Sequence, residues 1–271
     1  MIGPQSEARQ AANQFRATQH LGVAPIADLV TVLEDVSGVH VAVLPVAGND
    51  HHGMRGGDPN RHVTVLGAAA TAHPVRLRST LAHELGHHVF GDPTPLKWSD
   101  KSPEENRATE FARHLLVPIE GLVELLGEPG QVDVTEPLLS KVVERFAVSP
   151  QMAAIQLREA GFINRAVADK YMSVSSRALA TRYGWTALYQ QWSVDSQVVR
   201  PPRQIVASGI NAFIGGHATV ETLANLQDTT TDAVRANLDE AGIAPAPPEP
   251  VETVEDTLDW ASLGSEDPAG G

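Results

Sequence analysis

Leu81-Ala-His-Glu-Leu-Gly-His-His-Val-Phe90 is the stretch from which the rest of the chain is read. It contains His-Glu-x-x-His, formed by His83, Glu84 and His87. On a helix, residues four apart lie nearly above one another, so both imidazoles reach one metal ion. Glu84 then reaches a water held by that metal. A zinc-bound water of near-neutral pKa beside a carboxylate is the machinery of peptide hydrolysis. At about 100° per residue, Leu81, Ala82, Leu85 and Val89 gather opposite the two histidines. The pattern predicts a helix that rests on a sheet and carries metal on its free side, with Ser79 or Thr80 as N-cap and Gly91-Asp-Pro93 as terminator.

A catalytic zinc needs a third protein ligand and an open position. The histidine of an extended metzincin pattern would stand at position 93, which is Pro93. Asp92 and Asp100 lie in the loop that follows. Ala108, Phe111, Ala112, Leu115 and Leu116 recur at helical spacing, which predicts a helix over Pro103–Val117 stopped by Pro118. On it Glu104 and Glu105 flank the apolar face at similar angles, while Glu110 points nearly opposite. Periodicity therefore excludes Glu110 and leaves Glu104 and Glu105 open.

Upstream, residues 5–20 read as a polar, Ala-rich helix and Pro25–Val36 as a second one, ended by Gly38. Val39–Pro45 reads as a strand. Asn49–Asn60, with three glycines and a proline, reads as a loop or wide hairpin. His62–Leu66 reads as a further strand, followed by a small-residue turn over 67–74. Left exposed at an edge, that strand could pair with an extended substrate. Beyond Leu122 the reading is helical. Val142–Ile163 and Leu223–Ile243 each resemble a helix, a Ser/Thr turn and a second helix, a spacing shared with DNA-binding units. The second helices carry too little positive charge for that role, essentially Arg158 in one and Arg235 among acids in the other, so both read as structural pairs.

Of the 271 residues 42% are hydrophobic and 20% charged, the balance of a folded protein rather than a disordered one. The net charge of −13 argues against general attraction to nucleic acid. No cysteine is present, so disulfides, thiol nucleophiles and thiolate ligands are excluded, and any zinc must be held by His and carboxylates. The first residues lack a basic patch followed by an apolar run, and no stretch is long enough to span a bilayer, so a cytoplasmic protein is expected. From Ala244 the chain is Pro-rich and then acidic. Glu249, Glu252, Glu255, Asp256, Asp259, Glu266 and Asp267 surround a small apolar group at Leu258, Trp260 and Leu263. That composition reads as a solvated, disordered tail, with docking to a partner as the alternative.

Arg78-Ser-Thr-Leu-Ala-His-Glu-Leu-Gly-His-His88, followed by Glu105-Asn-Arg-Ala-Thr-Glu-Phe-Ala-Arg-His-Leu-Leu-Val-Pro118, resembles the ImmA/IrrE family of metallopeptidases. The resemblance runs from about Ala8 to Ile163 in order and spacing and is specific within 76–118. It implies an α+β fold: a zincin-like metallopeptidase domain with a small sheet beside the motif helix, then a mostly α-helical C-terminal half. The implied third zinc ligand is Glu105, beside His83 and His87, with Glu84 as catalytic base. Thr109 stands where the family usually has Asn, and Val117 where it has Met. Several members cleave a helix-turn-helix repressor encoded nearby, which releases stress-response or mobile-element genes. A protein substrate of that kind is the expected partner, with neither direct nucleic-acid nor membrane binding. No helix-turn-helix domain precedes the motif here, so the repressor would be a separate protein, and the helical C-terminal half differs from the α+β sensor domain of the radiation-response branch.

The expected organisation is a zincin-like core over 1–125, a helical region with two helix-turn-helix-like pairs over 126–243, and the tail over 244–271. The expected reaction is zinc-dependent peptide hydrolysis. The alternative is a regulatory protein that binds metal and a repressor without cutting it. His88, His114, Tyr171, Tyr183, Tyr189 and His217 are candidates to assist at the oxyanion, and their spacing selects none.

Overall fold

Val39–Leu44 (β1), Gly53–Asp58 (β2) and Val63–Ala69 (β3) form a three-stranded sheet in the order β1-β3-β2. The fold is that of a computed structural model describing residues 4–45, 53–58, 60, 62–93 and 102–246. Strand β1 runs parallel to β3, with Val41 opposite Leu66, and β2 runs antiparallel to it, with Arg55 opposite Leu66. The strand expected over 62–66 is therefore central, not an edge, and its two sides are already paired. The loop expected over 49–60 holds β2 at 53–58, while 46–52, 59 and 61 lie outside the described residues. Gly-Met-Arg-Gly-Gly-Asp has little intrinsic strand preference, so the sequence pattern hides it. Gly57, at φ 152°, lies so close to the Val63 carbonyl that a Cβ would stand 2.0 Å from its oxygen; only glycine fits there.

Pro74–Val89 (α3) is the motif helix. It begins earlier than expected, with Pro74 in the first turn and His73 as an N-cap that makes no side-chain bond; the Ser79 hydroxyl donates to the Arg76 carbonyl instead. Leu81, Ala82 and Leu85 are buried as the wheel predicts, but Val89 is exposed. The histidine side is not free either, since Pro103–Leu116 (α4) packs along it and His87 is only 6% exposed. Gly86 permits this approach: a Cβ there would meet Cα, Cβ and the carbonyl of Ala108 at 3.0–3.2 Å.

Pro4–Thr18 (α1) lies against α4 and buries Ala8 and Ala12. Arg16, 3% exposed, donates to the carbonyls of Gly22, Ala24 and Leu115, which fixes α1 and its following turn to the end of α4. Leu29–Glu34 (α2) is shorter than expected over 25–36 and is capped by Asp28, which accepts from the Thr31 amide at 3.1 Å.

From Ile119 to Glu240 the described elements are helices. The first helix-turn-helix-like segment is Glu136–Phe146 (α6) and Pro150–Glu159 (α7), and the second is Val220–Leu226 (α12) and Thr231–Glu240 (α13). Ala153, Ala154, Gln156 and Leu157 of α7 are completely buried against the domain carrying the motif. One continuous core joins Ala8 to Tyr189, and a smaller cluster around Phe213, Leu223 and Leu238 holds α12 to α13. Each buried Leu or Phe in these cores contributes roughly 1.5–3 kcal/mol of transfer free energy. Among the described residues no helix is long and apolar enough to cross a membrane.

Candidate metal centre

His83, Glu84 and His87 come from the middle of α3, and Glu105 from the first turn of α4, whose N-cap Ser102 accepts from the Glu105 amide at 3.2 Å. The structure brings three side chains to one point. His83 Nε2 lies 3.0 Å from Glu105 Oε2, His87 Nε2 lies 3.3 Å from Glu105 Oε1, and the two Nε2 atoms are 3.1 Å apart. Ligands of a tetrahedral zinc, each at about 2.0–2.1 Å, stand roughly 3.3–3.4 Å from one another. Donor type and spacing thus fit one small divalent ion. Glu104 is exposed on the other side of the first turn, and Glu110 lies farther along α4 in a different cluster.

The far side of each ring decides which nitrogen offers a lone pair. His87 Nδ1 is 2.9 Å from the buried Asp92 Oδ2, and His83 Nδ1 is 3.3 Å from Thr109 Oγ1. A carboxylate or hydroxyl facing Nδ1 places the ring proton there and leaves Nε2 free to ligate. Asp92, weighed above as a ligand, therefore serves as the partner of one; Asp100 lies outside the described residues. Asp92 is itself held by Arg107, whose guanidinium is 2.5 Å from Oδ1 and stacks 4.1 Å over the Phe90 ring. Thr109 keeps a contact to His83 from the position where the family usually has Asn. Burial, then the neighbouring His87, lowers the His83 pKa, which favours the neutral, ligating imidazole.

Glu84 is 2% exposed, and its Oε2 has no hydrogen-bond partner. Burial, reinforced by the charge of Glu105 and opposed by Arg55, pushes its pKa up to about 7. Gly53 of β2 lies against it: a Cβ there would stand 2.4 Å from Glu84 Oε1. Arg55, also on β2, donates to the carbonyls of His87 (2.7 Å) and Asp92, which ties the edge strand to the C-terminal end of α3. No sequence pattern marks Arg55 or Arg107, because neither stands at a telling distance from the motif.

Most candidates for oxyanion assistance are engaged elsewhere. Tyr171 donates to the Val134 carbonyl and Tyr183 to Glu136, Tyr189 packs edge-on against Trp185, and His217 is exposed near the second cluster. His88 is half-buried on α3, with its pKa lowered by burial and then by Arg55. His114 lies in the second acidic group, with Nε2 3.1 Å from Glu159 Oε1 and Glu110 nearby. There Arg113 already bridges Glu110 and Glu159, so a built-in cation holds the position a metal would take.

A small sheet beside a His-Glu-x-x-His helix, completed by a glutamate from the next helix, defines a zincin-like domain of the metallopeptidase class. Residues 34–158, a little under half of the chain, match the Peptidase M78 family, described as the IrrE N-terminal-like domain, so this segment is similar to the ImmA/IrrE metallopeptidases. Comparison with curated proteins gives no match.

Proposed function

We propose that this protein is a zinc-dependent endopeptidase acting in the cytoplasm on a protein substrate, a helix-turn-helix repressor encoded near its own gene. His83, His87 and Glu105 hold the ion, and Glu84 is the general base. The observation that carries this reading is the buried Glu84 carboxylate, whose Oε2 has no hydrogen-bond partner, beside three converging metal donors. When bound, zinc supplies a Lewis acid that polarises the scissile carbonyl and acidifies water. Glu84 takes the proton from the attacking water and delivers it to the leaving amine nitrogen. In the metal-free fold, burial makes the Glu84 carboxylate a readier proton acceptor than an exposed one. Asp92 and Thr109 hold the imidazoles in register, and Arg55 holds β2 against the site. The repressor as substrate is supported by the family resemblance.

The test incubates the purified protein with the repressor encoded beside its gene, with and without chelator. Wild-type protein is expected to cut it and chelator to stop the cut, while Glu84→Gln keeps its metal and does not cut. Cleavage by Glu84→Gln at the wild-type rate would refute the mechanism. Binding without cleavage by the metal-loaded wild type would favour a non-proteolytic regulator.

A further inference from the structure

On the far side of α3 from the histidines lies a cavity of about 350 Å³, walled by the start of α2, the first half of α3 and Thr186–Asp195 (α10). It is well fixed. Ser196 and Thr71 exchange two hydrogen bonds, Thr71 N to Ser196 O at 3.0 Å and Ser196 Oγ to Thr71 O at 2.6 Å, and Ser193 Oγ donates to the Ala72 carbonyl. Two arginines line it. Arg78 of α3 spends its terminal nitrogens on the backbone carbonyls of Ile26 (2.6 Å) and Ala27 (3.2 Å), which are neutral acceptors. Arg200 is held in place by its own backbone, which exchanges two 2.9 Å hydrogen bonds with Val43 of β1. The Nε of each arginine is buried and makes no hydrogen bond.

A buried guanidinium nitrogen without an acceptor is destabilising, and two such arginines on one cavity wall favour a negatively charged occupant. Two acids, Asp28 and Asp195, also line the cavity; the charge of Asp28 acts on both arginines, but its oxygens accept from the Thr31 amide and hydroxyl, and Asp195 accepts from Gln191 at 2.8 Å. Apart from Ser196, the rest of the wall is apolar, with Val30, Leu77, Leu81 and Trp192. The volume lies at the small end of the range for small-molecule sites. A carboxylate matches the planar edge of a guanidinium.

We propose that this cavity binds a small organic anion, a carboxylate on an apolar body, between Arg78 and Arg200. Trp192, Asp195 and Arg200 lie beyond the segment matched to the peptidase family, so the site forms where the additional helical region packs back onto the motif helix. A ligand there touches the helix that carries His83 and His87 from behind and joins it to α10. The inference depends on neither a bound metal nor catalysis.

The test is calorimetric titration of the full chain with octanoate and with neutral octanamide, in a buffer free of carboxylates. Octanoate is expected to bind saturably at one site per chain, and octanamide at least tenfold more weakly. Arg200→Met is expected to lose about tenfold or more in octanoate affinity, because it removes one charge-assisted contact. Asp195→Asn, which removes a nearby like charge, is expected to bind octanoate several-fold more tightly. No saturable octanoate binding, equal binding of the amide, or unchanged affinity in a folded Arg200→Met would overturn the proposal. Should Arg200→Met prove unfolded by circular dichroism, unchanged or weakened affinity in Asp195→Asn overturns it alone.

Discussion

The carboxylate of Asp92 sits 2.9 Å from Nδ1 of His87, buried with it, and turns Nε2 of the same ring toward Glu105. Carboxylates in this relation fix the tautomer and raise the basicity of a ligating imidazole, and their loss commonly weakens metal affinity 10- to 100-fold. Asp92→Ala is expected to lose affinity by about that factor in competition with a chromogenic chelator. Unchanged affinity would mean that His87 is oriented by the packing of α4 alone.

Gly86 faces Ala108 where α3 and α4 touch, with proposed ligand residues on both helices. Gly86→Val adds bulk against backbone that cannot turn aside. The expected result is a loss of about 1–3 kcal/mol in urea unfolding, with weaker metal binding as Glu105 is pushed from the histidines. Wild-type stability in this variant would show that the two helices have slack.

The Glu84 carboxyl gives the metal-free protein a pH signature. Its pKa in the fold, about 7, lies above the ordinary value of 4.5, so the folded state favours the protonated form. That stabilisation is complete below pH 4.5, is lost as pH rises to about 7, and leaves a deficit of roughly 3 kcal/mol above. Glu84→Gln cannot ionise. In chelator, it is expected to unfold at higher temperature than wild type at pH 8 and at the same temperature near pH 4.5. Equal melting temperatures at pH 8 would show that Glu84 ionises without penalty.

What the sequence revealed and what it hid follow from the reach of each signal. The motif helix and α4 were legible because their apolar periodicity is long and clean, and the first strand because Val39–Leu44 is rich in β-branched residues. Strand β2 was not, since three of its six residues are glycines, of which Gly57 and Gly53 lie close against Val63 and Glu84. The central position of β3 followed from β2 and was lost with it. Helical phase alone could not separate Glu104 from Glu105, because that choice depends on how α4 crosses α3. Asp92 drew notice only as a ligand; that it faces Nδ1, not Nε2, is a matter of how the chain turns after Gly91. Arg78 and Arg200, 122 positions apart, share a cavity that no local pattern foretells.

His83, His87 and Glu105 are proposed to hold one metal ion. The most direct test is metal content by mass spectrometry after zinc loading and desalting, comparing Glu105→Ala with Glu104→Ala. One zinc per chain is expected in the wild type and in Glu104→Ala, and a large loss in Glu105→Ala. Full zinc occupancy in Glu105→Ala, or its loss in Glu104→Ala, would contradict it.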